Sequence, residues 1–159
     1  MKQQGIGGQQ ERGQADPICL CRCPDPLEPR AVEQDTLHVD RLLAGLNPAR
    51  GLVFLESSGA LAQVLPELAP MVGCEQNHWH HFDVWGHSVV TVKAIEAGEG
   101  ETKRIRRWTA LLHDIGKLAV RHVKKGGEWG FYQHESVGAD LTAILLDRLK
   151  LNRRDAAHI

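Results

Sequence analysis

RWTALLHDIGK, residues 107–117, decides how this chain is read. Ile105, Trp108, Leu112 and Ile115 recur at helical spacing through and just ahead of it. The spacing predicts a helix from about Thr102 to Ile115, stopped at Gly116, where the glycine lets the chain turn sharply into Lys117. His113 and Asp114 then follow Ala110-Leu111-Leu112 at the end of an apolar helix. Buried imidazoles and carboxylates are costly unless paired, hydrogen-bonded or bound to a metal, so this position demands partners.

Working outward, helices lie on both sides. Upstream, Val84, Val92 and Ile95 share one face of a helix from Asp83 to Ala97, with Gly98 beyond it, and His87 lies on the Val84 face. Downstream, a loop with Gly126-Gly127 and Gly130 leads into a long helix from His134 through Val137, Leu141, Ile144, Leu145 and Leu149. His134 sits in its first turn, in phase with the apolar stripe. Further upstream, Val39, Leu42, Leu43 and Leu46 make one stripe. Asn47-Pro48 reads as a cap with proline at the first helical position, opening a helix that Gly59 ends. Leu61, Val64, Leu65 and Leu68 form a short stripe interrupted by Pro66. No segment of useful length alternates at strand period, and no internal repeat is present, so the predicted fold class is all-α.

Residues 1–34, rich in Gln, Gly and Pro, show no period and read as a disordered leader. Cys19, Cys21 and Cys23 fall in it at a spacing unlike a zinc knuckle, and incidental thiols are preferred to a structural metal or disulfide. At the other end, Asn152 and Asp155 read as a cap and third position of a fresh helix just before Ile159, so the chain reads as C-terminally truncated.

A chain of 159 residues with 42% hydrophobic composition fits one domain with one core. Formal net charge is −1, which argues against a polyanion or a wholly basic nucleic-acid binder. Charge is divided, however. Residues 1–100 carry 7 Lys/Arg against 13 Asp/Glu (net −6), and residues 101–159 carry 12 against 7 (net +5). Lys103, Arg104, Arg106, Arg107, Arg121, Lys124 and Lys125 flank the central motif and suit the steering of nucleotide or RNA phosphates; solvated helix faces are the competing reading. No apolar run approaches membrane-spanning length and no signal peptide is evident, so a cytoplasmic location without a membrane partner is expected.

His87, His113 and Asp114 on two helices make a mixed nitrogen and oxygen set. It suits a divalent cofactor such as Mn, Ni, Co, Fe or Zn, with Mg less favoured by the imidazoles. Such an ion lowers the pKa of a water and polarises a phosphoryl oxygen for in-line attack, so Asp114, Lys117 and His134 are the candidate catalytic residues. Lys117 would stabilise charge developing on the phosphate, or is a surface lysine after a helix stop. His134 would hold a second metal, donate to phosphate, or simply pack. Asp83 would orient His87 or cap its helix. His78, Trp79, His80 and His81 would line the cleft, with a base stacked there, or form a solvent-facing loop.

HDIGK with a helical histidine upstream resembles the HD superfamily of metal-dependent phosphohydrolases. Four stretches narrow this: NPARGLVFLESSGALAQVLPELAPMVGCEQ (47–76), HHFDVWGHS (80–88), RWTALLHDIGK (107–117) and FYQHESVGADL (131–141). Together they resemble the C-terminal half of bacterial tRNA nucleotidyltransferases and poly(A) polymerases, over about Leu37 to Ile159. The resemblance implies an HD-domain helical bundle at 71–159 preceded by a short helical neck at 35–70. It also implies a metal on the His87, His113 and Asp114 positions and a nucleotide or RNA phosphoester substrate, tRNA included. Two departures stand out. No Gly-rich nucleotide motif or paired aspartates of a nucleotidyltransferase head are present, so nucleotide addition to tRNA is not expected. The closing Asp of the HD pattern falls on Asp140, Asp147 or Asp155, or after Ile159. The expected activity is phosphodiester or phosphate hydrolysis, with a non-catalytic tRNA-binding or scaffolding remnant as the alternative.

Overall fold

The computed structural model describes residues 29–95 and 100–159, with side chains from Thr36 onward among the first of these. The elements are α1 (Pro29–Ala44), α2 (Pro48–Ser57), α3 (Leu61–Val64), a 3-10 turn (Ala69–Met71), α4 (Val84–Ala94), α5 (Gly100–Leu112), α6 (Lys117–Val120), β1 (His122–Val123), β2 (Trp129–Gly130), α7 (His134–Arg148) and α8 (Arg153–Ala156). The fold is a helical bundle, as the periodicity predicts, with one addition. Strands β1 and β2 pair antiparallel, His122 opposite Gly130 and Val123 opposite Trp129. Two-residue strands are too short to leave a period in the sequence.

Helix α5 packs on both α1 and α4, α2 on α4, and α6 on α7. Leu43, Leu52, Leu65, Leu68, Met71, Val84, Trp108, Leu111, Leu145 and Leu149 are buried in one continuous core. Side chains from residues 35–70 thus share a core with those of 71–159. Burying each such side chain contributes about 1.5–3 kcal/mol, which makes the α1–α2 region part of what holds α5 in place.

Several boundaries differ from expectation. Helix α1 begins at Pro29, inside the stretch read as leader, and Pro29 occupies a first-turn position where the missing N–H costs nothing. It ends at Ala44, so Leu46 leaves the stripe and lies exposed. Asn47 stands at the N-cap of α2 but makes no side-chain capping bond; Pro48 alone sets the start. Ile144 is exposed, because α7 buries only Gly138, Leu145 and Leu146 fully, and Leu149 just beyond it. Helix α4 stops at Ala94, where Ile95 turns extended. Helix α5 ends at Leu112 rather than Ile115. There His113 N–H still reaches Thr109 O at 2.9 Å, but Ile115 N–H donates to Leu112 O at 3.1 Å and Lys117 N–H to Asp114 O at 3.0 Å, tight turns that take the chain off the helical course from Asp114 onward.

Candidate metal centre

Four chain segments meet at Asp114. The first is α4, whose start is pinned by Asp83: Oδ1 accepts from Gly86 N–H and Oδ2 from Gly73 N–H, both at 2.6 Å. Asp83 is therefore a helix cap that also ties α4 to the preceding loop, the second of the two roles its position allowed. One turn on, His87 Nε2 lies 3.6 Å from Asp114 Oδ2.

The second segment is the turn after α5. With Leu111, Leu112 and Ile115 locked in the core, the Asp114 side chain is left only 4% exposed. His113 Nε2 stands 3.1 Å from Asp114 Oδ2. The third segment, α6, brings Lys117 back over the carboxylate. Its ammonium donates to Asp114 Oδ2 at 2.8 Å and to Gln76 Oε1 at 2.7 Å, and lies 5.5 Å above the Phe131 ring. Lys117 is buried, which removes the surface-lysine reading.

The fourth segment is the start of α7, brought close by a glycine contact. A Cβ on Gly116 would stand 2.0 Å from His134 O and 2.5 Å from Gly138 N, so the turn and α7 touch backbone to backbone. Only glycine fits. His134 Nε2 then lies 3.6 Å from Asp114 Oδ1. Gln133, just before it, adopts φ +64°, a left-handed conformation uncommon outside glycine and found here at the rim of the site.

Proton placement follows from the backbone. His113 Nδ1 is 2.9 Å from Ala110 O and His134 Nδ1 is 2.8 Å from Phe131 O. A carbonyl only accepts, so each Nδ1 carries the proton, and in the neutral ring Nε2 keeps a lone pair aimed at Asp114. Lone pairs facing a carboxylate need a positive charge between them, supplied by a proton or a cation. Burial opposes ionisation of Asp114, but the bonds from Lys117 and from the His113 ring when Nε2 is protonated outweigh it and hold the carboxyl far below the usual carboxylate range. The bond to Asp114 outweighs burial at His113 and raises its pKa, whereas burial lowers that of His87. The fit to a metal is direct: one ligand atom each from His87, His113 and Asp114 lie within 4.8 Å of one another. Imidazole Nδ1–H bonded to a backbone carbonyl is also the outer contact that orients metal-binding histidines.

His87, His113, Asp114, Lys117 and His134 all fall in the stretch that matches one family model, described as the HD domain, over 84–159. Residues 84–159 are an HD domain. Three relatives extend the match upstream. The chain is 37% identical over 135 residues to the A-adding tRNA nucleotidyltransferase of Deinococcus radiodurans, covering 84% of this chain and 30% of that protein. It is 38% identical over 107 residues to the CC-adding tRNA nucleotidyltransferase of Thermus thermophilus, covering 67% and 25%. To the multifunctional CCA protein of Azoarcus sp. it is 35% identical over 111 residues, covering 69% and 26%. The chain thus spans between a quarter and a third of the length of these relatives. No solved structure matches significantly.

Within the HD domain, other expected site residues separate. Asp140 and Asp147 are exposed on α7, and Asp155 is buried against Arg104 and Asn152. Among the described residues no second carboxylate joins the His87, His113 and Asp114 group. Arg104 and Arg107 do not steer phosphates. Arg104 pairs with Asp40 and Asp155, and Arg107 is buried, donating to Leu43 O and Gly45 O. The Arg121 guanidinium lies over Trp129, its Cζ 3.6 Å from the ring centre. His78 pairs with Glu128 at 3.0 Å, while the exposed Trp79 leans on the His78 ring. His80 meets His87 edge-on at 5.9 Å and lines a cleft of about 620 Å³ together with Lys117 and His134. Gln76, Gly138 and Tyr132 also belong to this region, and no spacing or residue-type argument singled them out. Cys19, Cys21 and Cys23 lie outside the described residues, and Cys74 is a buried free thiol. No helix among the described residues is long and apolar enough to cross a membrane.

Proposed function

We propose that this HD domain is a cytoplasmic, metal-dependent phosphohydrolase acting on phosphoesters of nucleotides or RNA ends. The observation that carries the proposal is the convergence of His87, His113 and Asp114 within 4.8 Å, beside a cleft. A divalent ion held by these three side chains would supply a water of lowered pKa and polarise a phosphoryl oxygen. The chain's own residues do the rest. The bond from Lys117 favours the ionised form of Asp114. Lys117, anchored on Asp114 and Gln76, holds a positive charge at the cleft where a phosphate would gain negative charge. His134 turns Nε2 toward the same place and would hold a second ion or, once protonated there as well, donate to a phosphoryl oxygen. The relatives are named for tRNA, which makes tRNA ends the first substrates to try.

The test uses the full purified chain: metal content, then hydrolysis of bis-p-nitrophenyl phosphate and 2′,3′-cyclic nucleotides with added Mn or Ni. His113→Ala and Asp114→Ala should each lose bound metal and hydrolysis with helical content kept. Stoichiometric metal in either variant places the centre elsewhere. A second reading, a tRNA-binding remnant without turnover, is favoured by the single carboxylate of the group and by Lys117 occupying its Oδ2. Metal and tRNA binding without hydrolysis of any ester would support it over the first.

A further inference from the structure

The hairpin of β1 and β2 forms one wall of the cleft beside Asp114, and no part of the metal centre uses it. Strand alternation puts His122 and Lys124 on one face of the hairpin and Val123 on the other. His122 and Lys124 both line the cleft, and Trp129 of the other strand lines it as well. It exists because residue 130, directly opposite His122, is glycine. A Cβ there would stand 2.5 Å from His122 Nε2 and 2.9 Å from Lys124 Cε, so the two side chains lie over the space a larger residue would fill.

The wall is braced by contacts within the hairpin and to the preceding loop. Arg121 stacks on Trp129, Glu128 is taken up by His78, and Lys124 N–H donates to Glu128 O at 2.8 Å. With Glu128 so engaged, Lys124 has no ion-pair partner among the described residues. Glu135, which sits against His134 Nδ1 at 3.3 Å, is the one carboxylate lining the cleft among the described residues. The cleft therefore has two separate cations, Lys117 near the metal centre and Lys124 on the hairpin. A volume of about 620 Å³ exceeds what a single phosphate group fills and is within the range of sites for nucleotide-sized ligands. Tyr132, 78% exposed, adds an aromatic face to the same lining on which a base can stack.

We propose that Lys124 and His122 form a second phosphate subsite, so that the ligand class of this cleft is an oligonucleotide end with a phosphate beyond the reacting one, rather than a mononucleotide. The proposal rests on the phosphoester reading of the metal centre, and its test is kept separate by reading binding rather than turnover. Isothermal titration of the full chain compares the 3′-phosphorylated dinucleotide ApAp, with two phosphates, against adenosine 3′-monophosphate, with one. The unaltered chain should bind ApAp about tenfold more tightly, as one charge-assisted contact provides. In Lys124→Ala that ratio should fall to near one, and the slope of log Kd for ApAp against log salt should fall by about 0.7. Lys125→Ala, one residue along the same hairpin, should keep the ratio. Gly130→Ala should lower it by displacing both side chains. A Lys124→Ala ratio equal to that of the unaltered chain overturns the subsite, as does failure of both ligands to bind. Loss of the ratio in a chain that hydrolyses nothing would keep the subsite and remove the hydrolase reading. Hydrolysis with an unchanged ratio would do the reverse.

Discussion

Asp114, in the turn after α5, and Asp155, in α8, lie at almost the same depth, with side chains 4% and 1% exposed. Both are ionised by strong partners against the cost of burial. Around Asp155 the partners are groups with nothing further to offer. Arg104 bridges it to Asp40, Asn152 Nδ2 donates at 2.7 Å, and Asp40 also takes the Trp108 Nε1–H at 2.7 Å. That cluster joins α1, α5 and α8 and ends there. Around Asp114 the partners are one ammonium and three imidazoles, two of which keep a free nitrogen turned inward because the backbone holds the other. A buried carboxylate by itself therefore does not mark a site. What distinguishes the Asp114 cluster is neighbours that are electron-pair donors, which a cation as well as a proton can bridge to the carboxylate.

The largest effect is expected at Gly116. Gly116→Ala forces the Asp114 turn off α7 and leaves the Asp155 cluster untouched, and should cost about 3 kcal/mol or more in urea unfolding, with weakened metal binding. Equal stability would mean the backbone contact is not what joins the turn to α7. Next, Arg104→Met leaves Asp155 and Asp40 without their cation and should cost about 3 kcal/mol, yet the folded protein should bind metal as before. Metal loss in this variant would show that the two clusters act as one.

Acid titration sharpens the same contrast. Burial disfavours the Asp155 charge, but Arg104 and Asn152 more than offset it and depress its folded pKa. The resulting stability is present above the unfolded carboxylate pKa, about 3.9, and is lost as pH falls toward the folded value. Asp155→Asn should flatten that part of the stability-against-pH curve, and an unchanged slope would assign the acid sensitivity elsewhere. A smaller effect is expected at the centre: Asp114→Asn should lose bound metal while costing only about 1–2 kcal/mol, because the amide oxygen still accepts from Lys117. The smallest change is at Gln133, where Gln133→Gly relieves a left-handed residue and should stabilise by up to about 1 kcal/mol. A destabilised Gln133→Gly would show that the glutamine side chain helps hold the rim.

Much of the centre could be read from the chain because its residues announce themselves locally. His87 follows an aspartate cap by one turn, His113 and Asp114 close an apolar helix, and His134 opens another; spacing alone carried that information. Asn152 as a cap with Asp155 at its third position was legible for the same reason, and Asp155 N–H does donate to Asn152 Oδ1 at 2.9 Å. Trp108 as a core residue follows from its place in a stripe. Charged side chains were misread where their partners are remote. Arg104 and Arg107 resemble surface residues of a basic helix, but their partners on α1 and in the loop after it are 62 to 64 positions away.

Composition and period, then, determined a helical bundle and the residue types of a candidate metal centre, since both depend on neighbours three or four positions apart. The three-dimensional arrangement alone decided which charges are buried and against what. Lys117 became an internal ammonium because Gln76 and Phe131 close over it, the hairpin wall became basic because Gly130 leaves room, and α7 came within reach of Asp114 because two glycines meet. Each of these depends on close approach between segments distant in sequence, and short-range pattern holds no record of it.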